Sequence, residues 1–423
     1  MILILFRMEQ SCLLTSVLKK NISKVNLIDN KKFENFFCEL NFSLIDNKKY
    51  KFVKASELGI KTLFDEKNFS LVGVVQGELE DCWIVSSVCA IAVRNFELLQ
   101  NIFVKREIYD CGRYFLQLCI AGQWKIIEVD DQLPCRVLRN KHDDCQCCDN
   151  QLNGVFDDGS LRTSLAFATS KEHLFMPLIE KAFAIEIGCR SYHNLSTGFS
   201  HEALATLTGA PILKLIFQSI SSIDACWDCL VNANKSGYPM TASCGNGNLS
   251  KLSKEFFHSV KLRPKHCYAL LDINEVDRNI QLYNPWGFFQ PNSNCHMNED
   301  SLFSNGIFWM NFTEFVKYFD SVDICKWNLS LEELRFFDLK IGDVIQIHVQ
   351  KKQQIDITLF QQSTINRIPN KDLCLIVLDR QNKLVKPVQN RRFEICLTLE
   401  IELEAGDYFI VPLSFHHLNN FGL

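Results

Sequence analysis

The stretch "GELEDCWIVSSV", residues 77–88, decides how the chain is read. A Cys and a Trp open an apolar run just after two acids, Glu80 and Asp81. Apolar residues continue at helical spacing through "CWIVSSVCAIAVRNFELLQNIF", 82–103, which predicts one mostly buried helix. Cys82 then stands at a helix N-terminus, where the local field favours a thiolate. A cysteine hydrolase also needs a His to take and return the proton, a group to orient that His, and donors for an oxyanion.

The rest of the chain offers those groups. Gln76 lies six residues before Cys82, on the loop that feeds the helix. "HCYALLDINEVDRNIQLYNPWGF", 266–288, reads as two strands joined by a polar turn, then a Pro-Trp-Gly loop. If those strands pair, His266 and Asn284 become neighbours, and Trp286 can cover the bond between them. Taken singly, a buried Cys is usually packing and an Asn before Pro is usually a turn residue. The combination, in the order Gln, Cys, His, Asn, is far more specific than its parts.

Composition sets outer bounds. The 423 residues allow two to three domains. A net charge of −4 with mixed signs gives no nucleic-acid footprint. The apolar opening, Met1 to Phe6, is too short for a secretory signal, and no run reaches the length of a membrane span. The 19 Cys are odd in number and scattered through apolar segments, as reduced thiols would be. These features predict a cytoplasmic protein without a transmembrane segment. The loop "RNKHDDCQCCDN", 139–150, groups His142, Cys145, Cys147 and Cys148, but C-x-C-C is poor zinc spacing.

Other elements follow the same logic. "RYFLQLCIAGQWKIIEVDDQLP" predicts a hairpin ending in a turn at Pro134, and "FMPLIEKAFAIEIG" a helix with Pro177 in its first turn. "NGIFWMNFTEFVKYFDSV" predicts a strand and then a helix. After Trp327–Ser330 the runs become short and β-rich, which predicts an antiparallel sandwich. Residues 1–50 read as a disordered lead or short helical arm, with enough Phe to dock partly on the core. The echo "LIDNKK" at 27–32 and 44–49 is too brief for a repeat fold.

Several stretches resemble the calpain family of cysteine proteases: "QGELEDCW", "PLIEKAFA", "HCYALLDINEV…IQLYNPWG" and "GIFWMNFTEFVKYFDSVDIC". "EALATLTGAP", "MTASCGNGN", "LRPKHCYALLD", "YFDSVDICK" and the final "RRFEICLTLEIELEAGDYFIVPLSFHHL" are similar to its small-optic-lobes subfamily. The resemblance implies an α+β fold. A papain-like two-subdomain core would occupy 51–197 and 198–328, followed by a calpain-type β-sandwich at 329–423. It implies Cys82 as nucleophile, His266 as general acid/base and Asn284 as its orienter. Gln76 and the backbone N–H of Cys82 would form the oxyanion hole. Trp286 would shield the triad, and Gly198 would lie near the hinge, where substrate backbone approaches. Protein substrates and a regulatory protein partner follow from the same likeness.

Three departures from the family pattern stand out. Glu80 replaces a Gly two residues before the Cys, where its carboxylate disfavours a thiolate and a positive φ would strain it. Lys265 replaces a Gly just before the His. The calcium positions are mostly unmatched. Glu180 fits one, but Gly73 and the residues around Gly306 stand where acids are usual, so calcium binding is expected to be weak or absent. Two functions remain open on the sequence: a limited-proteolysis endopeptidase, or an inactive scaffold of the same fold. A third, an adaptor working through the sandwich, lacks a basic patch.

Overall fold

The computed structural model describes residues 2–8, 12–17, 50–64, 69–109, 111–138, 162–170, 173–220, 222–245, 257, 260, 262–287, 305–327, 332–361, 372–385 and 396–414. The Cys-rich loop 139–150, the 27–32 and 44–49 echo and the segment 288–304 lie outside them.

Among the described residues the buried apolar side chains form three clusters. The first gathers around the helix Cys82–Arg94, whose residues Trp83 to Ala92 are all buried, and the helix Phe175–Glu186. Such all-round burial explains why neither helix has a polar face in the sequence. The run 82–103 is not one helix. Asn95 leaves the helical region, and its side chain accepts from the Leu98 N–H to start a second helix, Phe96–Gln100.

The hairpin Arg113–Ile120 with Gln123–Asp130 turns at Ala121 and Gly122, both at positive φ. The expected turn at Pro134 is corrected. Pro134 lies inside the strand Gln132–Leu138, opposite Phe52, and its carbonyl accepts from Ala166. The bend comes earlier, where the Asp131 N–H donates to Gly112.

The second cluster fills one side of a six-stranded antiparallel sheet. Its order is Ile212–Ile216, Phe319–Cys325, Met240–Cys244, His266–Asn274, Asn279–Tyr283, Ile307–Asn311. The two strands expected at 266–283 pair directly, Ala269 facing Tyr283.

The third cluster lies between two four-stranded sheets. One runs Glu332–Leu339, Ile2–Met8, Gln353–Gln361, Cys396–Leu403; the other runs Leu373–Asp379, Gly406–Ser414, Ile345–Val349, Cys12–Val17. Residues 2–8 are therefore not a helical or disordered arm. Ile2–Met8 is an interior strand, paired on both edges. Ile4 and Phe6 enter the cluster between the sheets, and Leu5 faces the first cluster on the other side. Burial on both faces is why its sequence shows an unbroken apolar run instead of alternation.

Phe6 is fully buried and meets Phe336 edge-on at 5.6 Å. Phe6→Ala is expected to lower stability by about 3–5 kcal/mol, measured by urea unfolding. A loss near zero would mean that the strand is peripheral.

Candidate active site

Hairpin register builds the His–Asn pair. Because Ala269 faces Tyr283, the next residue, Asn284, comes opposite Tyr268, and His266 lies two residues along the same face. The His266 Nε2 is 2.9 Å from the Asn284 Oδ1, with both side chains buried. A carboxamide oxygen only accepts, so Nε2 carries the hydrogen and Nδ1 is left as the basic nitrogen. The same Oδ1 accepts from the Trp286 N–H at 3.1 Å. The Trp286 ring lies 5.1 Å from the imidazole and covers it. Gly306 at φ 69° lets its carbonyl take the Asn284 N–H, and a Cβ there would come within 2.9 Å of the Asn284 carbonyl.

Cys82 begins its helix against this hairpin. Its sulfur is within reach of the backbone amides of Trp83 and of Cys267, the residue after His266. Ser86, one turn along the helix, donates to the Cys267 carbonyl at 2.8 Å. Ser87 donates to Trp83 and Ser200. This serine pair was missed in the sequence, although two adjacent serines on a buried helix are the signal that marks it. Among the described residues, no hydrogen bond joins the Cys82 thiol to the His266 ring.

Gln76 is buried on the loop before the helix. Its backbone N–H donates to Pro285 at 2.8 Å, which fastens it to the Asn284 loop. Its side-chain amide donates to the Leu79 carbonyl, and a second amide hydrogen remains. Gly198 packs flat on Trp83: a Cβ would lie 2.2 Å from the indole. Its position is thus set by the residue next to Cys82, with the Trp83 indole N–H donating to the Leu195 carbonyl at 2.8 Å.

Burial sets the charge state. It pushes the Cys82 thiol up to about 12, helped by the adjacent Asp81 and, less, by Glu80. It pulls His266 down to about 4, with the Arg263 charge adding to the effect. The resting pair is neutral. Glu80 is exposed and is not among the residues at positive φ, so it is unstrained. The strained position next to His266 is Lys265, at φ 55°.

Glu180 is buried, accepts from the Ala168 N–H at 3.1 Å and lies beside the fully buried Asp81. Burial and the Asp81 carboxyl raise Glu180 well above the carboxylate range, and burial raises Asp81 to about 6. Calcium takes six to eight oxygen ligands. Among the described residues Asp81 and Glu180 bring two buried carboxyls there, and the Ala168 N–H already donates to Glu180, which falls short of such a ligand set.

Comparison with known proteins gives the family. The model of the calpain family cysteine protease domain matches residues 34–326. The chain belongs to the calpain family. The calpain-type cysteine protease DEK1 of Zea mays is 26% identical over 276 residues, 60% of this chain and 11% of that protein. Calpain-9 of Homo sapiens is 24% identical over 282 residues, 60% of this chain and 36% of its own length. The match thus spans between a tenth and about a third of these calpain relatives.

Two measurements check this account. Lys265→Gly removes the left-handed strain and should raise stability by up to about 1 kcal/mol, against the entropy that Gly costs; a clear loss in urea unfolding would contradict it. His266 binds a proton at about 4 when folded and near 6.5 when unfolded. Its contribution is complete above the unfolded value and is lost as pH falls toward 4, on the order of 3 kcal/mol. Asp81, raised to about 6, acts in the opposite direction below that pH. The stability of wild type minus that of His266→Gln should therefore rise with pH across the histidine window and flatten above it. A difference independent of pH would contradict burial as the cause.

Proposed function

We propose that this chain is a cytoplasmic, calpain-type cysteine endopeptidase that cuts protein substrates at a few accessible sites. The two buried clusters around Cys82 and His266 would be the halves of a papain-like core, and the two four-stranded sheets the calpain-type sandwich. The observation that carries the reading is the buried 2.9 Å His266–Asn284 bond beside a thiol at a helix N-terminus.

The chemistry follows from the neutral resting pair. Cys82 attacks a peptide carbonyl carbon while Nδ1 of His266 takes the thiol proton. The carbonyl oxygen becomes an oxyanion, received by the Cys82 backbone N–H and the second amide hydrogen of Gln76. The C–N bond then breaks, and His266 returns the proton to the leaving amine. Water, deprotonated by His266, hydrolyses the thioester and restores the thiol. Asn284 holds the ring in the tautomer that every step uses. Trp286 keeps water from the His–Asn bond.

No step runs through calcium, because the donor set at Glu180 does not fit it. A regulatory protein partner is the switch we favour. A second reading, an inactive scaffold, is favoured by the thiol at about 12 and the imidazole at about 4, which do not form an ion pair at rest.

Labelling with an epoxide inhibitor of cysteine proteases separates the two, read by peptide mass spectrometry with and without calcium. Proteolysis requires modification at Cys82 in preference to the other cysteines, lost in His266→Ala. Glu80→Gly should speed it by about two- to threefold at low salt, because an exposed carboxylate acts weakly and is screened. Uniform modification of all cysteines would establish the scaffold reading.

A further inference from the structure

The lip of the site beside His266 is positively charged. Arg263 and Lys265 are both exposed, three residues and one residue before His266. The Arg263 guanidinium lies 4.7 Å from the centre of the Trp286 ring, and that ring is 5.1 Å from the imidazole. The backbone is pinned there as well. The Arg263 N–H donates to the Tyr268 hydroxyl at 3.0 Å, and the Tyr268 ring meets His266 edge-on at 5.0 Å. The charge is felt at the site, since it helps to hold His266 down. Among the described residues, neither cation forms an ion pair. On the nucleophile side the exposed charge has the opposite sign, Glu80.

The direction of the reaction fixes which part of a substrate meets this cation. The general acid gives its proton to the leaving amine, so the chain on the leaving-amine side of the cut bond passes over His266. Trp286 covers that ring, and Arg263 stacks on Trp286. The guanidinium thus flanks the residues that follow the cut bond. A stacked guanidinium keeps its N–H edge open, and that edge fits a carboxylate with two parallel hydrogen bonds.

We propose that Arg263, assisted by Lys265, selects protein substrates carrying Asp or Glu within the first few residues after the cut bond. The inference rests on the endopeptidase reading above.

The test is a proteome-derived peptide library digested with the full chain, its cut sites aligned by mass spectrometry. Wild type should favour Asp or Glu after the cut bond by about three- to tenfold in kcat/KM over Gln at the same place. Added salt should weaken the preference. Arg263→Gln should abolish it, Arg263→Glu should turn it toward Lys and Arg, and Arg263→Lys should keep part of it. Epoxide labelling of Cys82 should persist in all three variants. Cutting without an acidic preference, or a preference unchanged in Arg263→Gln and Arg263→Glu, overturns this inference and leaves the endopeptidase reading intact. Failure of wild type to cut any peptide, with no selective labelling of Cys82, overturns both.

Discussion

The hydrogen bond from His266 to Asn284 is the constraint on which the site depends. It exists because two antiparallel strands are paired in one register. A slip by one residue would turn His266 to the other face of the sheet and leave Asn284 without it. The register is held from outside as well. The Tyr283 hydroxyl donates to the Val74 carbonyl at 2.7 Å, and Gln76 donates to Pro285. The loop that feeds Cys82 is therefore fastened to the loop that carries Asn284. The nucleophile comes from a segment roughly 200 residues before the base and its orienter, yet it is attached to the hairpin that carries both.

Burial gives the site its character at rest. The enclosure of a half-buried Cys82 and a buried His266 disfavours the thiolate and the imidazolium together, so the ground state is a neutral thiol and a neutral ring. Asp81 adds to this. Its carboxyl adjoins Cys82, and together with Glu180 it forms an acidic pair under the nucleophile helix. Any ionised fraction of that pair opposes a negative sulfur. Glu80, which drew notice in the sequence, is the smaller influence because water screens an exposed carboxylate.

What the sequence revealed follows from how local the cause was. The helix after Cys82, the hairpin from His266 and the helix around Pro177 each announce themselves through period, turn residues and caps within one segment. Asn95 broke the first helix through a side-chain bond to Leu98, which an apolar period does not register. Pro134 suggested a turn, yet it lies within a strand opposite Phe52. Cys82, His266, Asn284 and Gln76 were legible because their chemistry is unusual in combination. Ser86 and Arg263 were not: one acts through a carbonyl 181 residues away, the other through the ring of Trp286. Nothing within their own segments specifies either contact.

The strand Ile2–Met8 misled for a deeper reason, and it bears on how the sheets serve the site. Arg7 ends its apolar run in sequence but not in the fold. The guanidinium is buried, donates to the Lys326 carbonyl and pairs with Glu333 at 2.8 Å. Lys326 in turn meets Asp356 at 2.7 Å. Glu333 also holds the buried Arg335, which donates to Gly122 of one hairpin at 2.7 Å and to Gly209, at the end of the helix Ser200–Thr208, at 2.9 Å. Moving the two sheets away from the rest of the chain would break the bonds of Arg335 to Gly122 and Gly209 and expose the apolar side chains packed around them. The sheets therefore act as a brace. They hold the helix that follows Gly198, and Gly198 packs on Trp83 beside Cys82, so the position of the thiol is tied to a strand more than 70 residues before it.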